Sequence, residues 1–141
     1  MFAEMTDGAA AAQADTPSEP SADATEADAG LAAERFRSLS EEIRGCAIIG
    51  PRGVLAATGD SAGWQAAGKA LLEAADAAAG SRATHAHVAT EEGEAYAVRH
   101  AGLAMVAVTD RFTLASLVLA DMRAALRTLA GSALAPRAEA A

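Results

Sequence analysis

The chain has 141 residues, 52% of them hydrophobic, and a formal charge of −8, which is enough for one ordinary domain. Seven acids and no Lys or Arg fall in residues 1–30, whereas residues 31–130 carry eleven acids and ten bases, so no basic patch points to nucleic acid. The lone Cys46 excludes an intramolecular disulfide and suits a reducing compartment; no apolar run reaches the length of about eighteen residues that spans a membrane, so the expected location is cytoplasmic.

Residues 1–30 are rich in Ala, Asp, Glu, Ser, Thr and Pro, and after Phe2 and Met5 hold no large apolar residue. Such a stretch buries too little apolar surface to offset the entropy of ordering it, so the expectation is a disordered acidic tail over 1–30. It has no positive start and no apolar run, and so does not read as a signal peptide. Base usage is almost all Arg, with Lys69 the only lysine, and Ala is abundant; this codon argument, which is not a physical one, points to a GC-rich bacterial genome.

From Leu31 the pattern becomes periodic. Asp28 is a candidate cap, Ala32, Phe36, Leu39 and Ile43 recur at helical spacing, and Gly45 is a candidate stop. "CAIIG" and "VLAAT", separated by "PRG", read as a hairpin. Asp60 or Ser61 can cap a second helix that ends at Gly80. Its apolar sector is Trp64, Ala67, Gly68, Leu71, Leu72, Ala75 and Ala78. Its polar sector is Gln65, Lys69, Glu73 and Asp76. A third sector, Ala66, Ala70, Ala74 and Ala77, is small and uncharged. Alanine is a good helix former and needs no further reason, but such a stripe also lets another helix approach closely. Three strands follow, at about 83–90, 95–100 and 103–109, with turns in "EEGE" and "AG". "LAMVAV" is continuously apolar, as a strand covered on both faces should be, and "THAHVAT" is polar enough for an edge. A last helix begins near Asp110 or Thr113. Leu114, Ala115, Val118, Leu119, Met122, Ala125, Leu126 and Leu129 form its apolar arc, Leu117 points away from it, and Gly131 is the expected stop. Residues 132–141 read as a flexible tail.

The order α-β-β-α-β-β-β-α, with apolar central strands, predicts an α/β sandwich (α+β): a five-stranded antiparallel sheet with two helices on one face and one on the other. This domain spans residues 31–131.

That order, carried by "IRGCAIIGPRGVLAAT", "SAGWQAAGKALLEAADAAAG", "VATEEGEAYAVRH" and "GLAMVAVTDRFTLASLVLADMRAALRTL", resembles the Roadblock family, named for the roadblock-type light chain of dynein. The resemblance runs from about Leu31 to Leu129. One departure is "GPRG", where the family's first hairpin carries an acidic residue before the glycine. The resemblance implies homodimers or heterodimers in which the third strands pair antiparallel into a ten-stranded sheet and the central helices lie side by side. It thus implies a dimer interface of Thr84, His85, Ala86, His87 and Val88 with Ala66, Ala70, Ala74 and Ala77. In bacteria it implies regulation of a small Ras-like GTPase, in some cases activation, by docking the paired central helices against the switch regions. Gln65, Lys69, Glu73 and Asp76 are then the partner-binding candidates.

The same stretch of chain allows other chemistries. His85 and His87 lie two apart on one strand face, so a dimer would bring up to four imidazoles together, and structural zinc takes four ligands. The plainer reading is a polar edge; His100 ends the next strand and need not join them. Clustered imidazoles protonated near about pH 6 would oppose dimerisation. Cys46 starts a buried strand and reads as core. Glu91, Glu92 and Glu94 read as a solvated turn, though paired carboxylates can do acid–base work. Arg52 on a loop tip could stabilise a transferring phosphoryl group, but solvent is its ordinary fate. No Gly-x-Ser-x-Gly and no Walker-type loop occurs. The expectation is a non-enzyme without cofactor; the rival function is a structural dimerisation module without a GTPase partner.

Overall fold

The computed structural model describes residues 22–59 and 61–134, the side chains at 22–25, 61, 62 and 132–134 excepted. The elements are α1 (Ala22–Arg37), β1 (Ile43–Gly50), β2 (Gly53–Ala57), α2 (Ser61–Ala79), β3 (His85–Ala89), β4 (Glu94–His100), β5 (Leu103–Thr109) and α3 (Ala115–Leu134). The sheet order is β2-β1-β5-β4-β3, and every pairing is antiparallel. The fold class expected from the sequence is the one observed.

The two apolar runs, "CAIIG" and "LAMVAV", become β1 and the central strand β5. They pair along Cys46–Ala107, Ala47–Val106 and Ile48–Met105, and these residues are almost fully buried because helices cover both faces. The layers are unequal. Under α1 and α3 lie Phe36, Ile48, Tyr96, Met105, Met122, Leu126 and Leu129. Under α2 the fully buried set is Leu72, Ala97 and Val106, with Trp64, Leu71 and Ile49 half-buried around it. At about 1.5–3 kcal/mol per buried large apolar side chain, the α1/α3 layer supplies most of the driving force. α2 sits close to the sheet because Gly68 has no side chain: a Cβ there would stand 2.9 Å from Ile49 Cδ1 and Val106 Cγ2.

Several boundaries differ from expectation, each for a local reason. α1 begins at Ala22, inside the stretch read as a disordered tail over 1–30, because Ala29 and Ala33 pack on the sheet at 0% and 3% exposure; residues 1–21 lie outside the described residues. Asp28 is therefore inside the helix and not its cap. α1 also ends earlier, at Arg37. The Ser38 hydroxyl donates to Arg35 O at 2.8 Å, and Glu42 N donates to Ser40 Oγ at 3.1 Å, so two serines turn the chain. Ile43 and Gly45 then belong to β1, and Leu39 is exposed. α2 ends where expected, with Gly80 N donating to Asp76 O at 2.9 Å; Asp60, the other cap candidate, lies outside the described residues. α3 starts at Ala115 with Leu114 O accepting from Val118 N at 3.0 Å. Leu114 thus stands outside the apolar arc at 68% exposure. Gly131 does not stop α3, which runs through it to Leu134; residues 135–141 lie outside the described residues.

Candidate partner-binding surfaces

Among the described residues β3 pairs with β4 alone, which leaves one backbone edge of the sheet open. It is short and mostly exposed, as edge strands are. Its alternation sends His85 and His87 to the α3 side and Ala86 to the α2 side, where it packs at the small core. Val88, of the same parity, is 43% exposed. The strand is anchored at both ends. Before it, Asp76 of α2 forms a fork with Arg99 of β4 (2.7 and 3.1 Å), and Asp76 Oδ1 accepts from Ala83 N at 2.8 Å. Arg99 also donates to Ala83 O at 2.9 Å. The Arg99 guanidinium first, then the Ala83 amide, holds the Asp76 carboxyl down at about 2.

At its other end, β3 joins a polar cluster built on Glu94, which is only 8% exposed. Glu94 Oε1 accepts from Tyr96 OH at 2.7 Å and from Thr113 Oγ1 at 3.2 Å, and lies 2.9 Å from His87 Nε2. Oε2 accepts from the Phe112 amide at 2.7 Å. The His87 ring stacks on Tyr96 with centroids 4.4 Å apart and planes 3° from parallel. One carboxylate therefore ties together the edge strand, β4 and the β5–α3 loop. The bonds from Tyr96 and then His87 hold Glu94 at about 2. Burial, with the Glu94 charge beside it, pushes the Tyr96 phenol up. The solvated turn expected over Glu91, Glu92 and Glu94 holds for the first two, which are exposed; Glu94 instead opens β4 and is buried. Its parity with the buried Tyr96 and Val98 was the signal that could have found it.

On α2, Ala66, Ala70, Ala74 and Ala77 are all exposed on the side away from Gly68 and Leu72. Gln65, Lys69 and Glu73 are exposed beside them, with the Gln65 amide lying over the β1–β2 hairpin at Gly53. Asp76 is drawn away from this row by its fork with Arg99.

The chemistry candidates are scattered. Cys46 is fully buried, its Sγ 3.6 Å from Ala33 O, and burial pushes its thiol up to about 11. Arg52 is exposed at the β1–β2 tip. His85 Nδ1 is 3.4 Å from Arg123, a cation that disfavours a metal ion, and His87 Nε2 is engaged by Glu94 in its own chain at 2.9 Å. His100 lies at the opposite end of β4 from Glu94. Among the described residues no three His, Cys, Asp or Glu side chains gather as a metal site, and no helix is long and apolar enough to cross a membrane.

Neither a protein-family model nor a curated protein matches the chain. Solved structures do. The Roadblock/LC7 domain from Streptomyces avermitilis superposes with a TM-score of 0.63 at 11% identity, covering 73% of this chain and 95% of that one. Myxococcus xanthus MglB gives 0.60 at 12% identity over 79% and 93%. The gliding protein MglB from Thermus thermophilus gives 0.60 at 19% identity over 84% and 97%. The fold is that of the Roadblock domain.

Proposed function

We propose that this Roadblock-fold chain is a non-catalytic dimeric regulator or adaptor of a small Ras-like GTPase, working in the cytoplasm. The observation that carries the reading is the joint opening of one sheet edge and one helix face: among the described residues β3 has no outer neighbour, and α2 turns Ala66, Ala70, Ala74 and Ala77 to solvent. A second copy, or a paralogue, pairing antiparallel along Thr84–Val88 extends the sheet, covers Val88 and sets two α2 helices side by side. Small side chains suit that approach, because the distance between helix axes follows the side chains at the contact. Gln65, Lys69 and Glu73 are then the row offered to a partner, without Asp76, which Arg99 engages.

The Roadblock resemblance supplies the partner class, and the MglB neighbours support that general kind of role. Among the described residues the one thiol, Cys46, is buried with its pKa pushed up to about 11, and no chemistry of its own is assigned to the chain. Any effect on hydrolysis is therefore a population shift: docking favours one arrangement of the partner's switch loops, limited by the difference in affinity for the GTP and GDP states. The test is affinity capture with the full chain from native lysate, in parallel with a non-hydrolysable GTP analogue and with GDP. Nucleotide-dependent retention of a small GTPase is the expected result. Equal retention in both states favours a passive scaffold, and retention of structural proteins alone favours the dimerisation module.

A further inference from the structure

Five of the six large apolar side chains exposed among the described residues lie away from β3 and α2: Leu31, Leu39, Phe112, Leu114 and Leu117. Chain direction gathers four of them. β1 and β5 are antiparallel with Ile43 opposite Thr109. Leu39, just before β1, and Phe112, Leu114 and Leu117, just after β5, therefore share one end of the sheet. α1 runs toward that end and α3 away from it. The seam between the two helices is an open cleft of about 280 Å³ whose apolar lining includes Leu31 and Phe36 from α1, Leu39 from the turn after it, and Ala124, Ala125 and Leu129 from α3. This stands at the lower edge of ordinary small-molecule clefts and is ample for an aromatic side chain.

Phe112 is 82% exposed and is held that way. Its backbone sits at φ +65, a region that bulky residues avoid and that persists only where the surroundings impose it. Here the Glu94 carboxylate accepts the Phe112 amide, and Thr113 is bonded to both Tyr96 and Glu94. These bonds fix the backbone from which the Phe112 side chain projects. Arg111 lies 4.5 Å over the Phe112 ring, so the projecting group carries a positive charge. The charged groups lining the cleft are Asp28, Arg35 and Asp121, one net negative charge. Asp121, two turns into α3, is the acid nearer the Leu39 end.

We infer that Phe112, with Leu114 and Leu117 beside it, docks into the α1–α3 seam of a second copy of this chain, with Arg111 set against that copy's Asp121. Knob and seam mouth share one end of the molecule, so two copies can exchange knobs about a twofold axis. Taken alone the contact closes at two copies; joined to the dimer proposed above it closes at a doubled mass where the two twofold axes intersect and extends into a chain where they do not. It leaves β3 and the α2 stripe untouched, and so adds to the dimer proposed above without depending on it.

The test is sedimentation velocity and mass photometry of the full chain from nanomolar to submillimolar concentration. The expected result is a reversible, concentration-dependent rise to at least twice the mass that Phe112→Asp abolishes and Leu117→Glu weakens. Arg111→Glu and Asp121→Arg should each weaken the doubling, and the two together should restore it. Ala70→Arg should halve the smaller species yet leave a Phe112-dependent doubling, which separates this contact from the one through α2. Circular dichroism confirms that each variant is folded; both apolar sites are exposed, and Phe112→Asp removes no core packing, only the Arg111 contact on its ring. A single mass at all concentrations, or doubling that Phe112→Asp leaves unchanged, overturns the inference and assigns the seam to a different occupant, such as a partner's amphipathic helix.

Discussion

Glu94 concentrates more consequence than any other residue. A buried carboxylate is tolerated only when its lone pairs are filled, and Tyr96, His87, Thr113 and the Phe112 amide fill them. Its pKa falls from an ordinary 4.5 to about 2. A depressed pKa contributes stability that is fully present above the unfolded value and is lost as pH falls through the folded one. Asp76, lowered from 3.8 to about 2, adds to the same acid limb. Glu94→Gln should therefore flatten the acid limb: the wild-type advantage in urea midpoint is expected to be largest at neutral pH and to close as pH drops from about 4.5 to about 2. A gap that stays constant with pH would mean that the carboxylate's charge is irrelevant. Backbone conformation decides a second position. Ala101 and Gly102 both take positive φ, 53° and 81°, in the two-residue β4–β5 turn, the mirror-image turn that favours Asn-Gly. Ala101→Asn should raise stability by about 0.5–1 kcal/mol, read as a higher urea midpoint at unchanged slope.

At the scale of elements, small residues set the geometry. Gly68 brings α2 onto the sheet, Ala29 and Ala33 bring α1 onto it, and the outward alanines of α2 leave a face that a second helix can approach. Ala70→Arg should weaken dimerisation while leaving the thermal transition of the α1/α3 core in place, since Ala70 faces away from its own sheet; sedimentation equilibrium reads the first and calorimetry the second. A fully dimeric variant would remove the helix stripe from the interface. Helix limits are the least legible feature of the sequence. Ala32, Phe36, Leu39 and Ile43 keep a helical period, yet the last two leave the helix because Ser38 and Ser40 turn the chain with local side-chain bonds. Periodicity carries no record of that competition between side chain and backbone.

Across the whole molecule, the two sheet faces are built to different depths. The α1/α3 face holds nearly all the large buried side chains, and the α2 face holds a thin core with Trp64 and Leu71 only half covered. A domain of this size has little spare stability, so a partly covered face beside an open strand edge is a place where association adds what folding alone leaves out. The nucleotide-dependent capture experiment asks whether a GTPase takes up that surface once the chain has paired. The doubling experiment asks whether the opposite layer serves a separate assembly.

The order of the elements, their layering and the identity of the central strands were legible along the chain, because continuous apolar runs, two-residue alternation and helical spacing are local patterns that burial must satisfy. The same patterns also picked out β3 as an edge and the alanine face of α2 as unneeded by its own sheet. Folding in three dimensions was needed to see that Glu94 is buried and central, that Asp76 is engaged by Arg99, and that Leu39, Leu114 and Phe112 are displayed and not packed. Those outcomes depend on residues far apart in the chain meeting across strands and loops, as Phe112 meets Glu94 and Asp76 meets Arg99, and a pattern read along one dimension does not contain those distances.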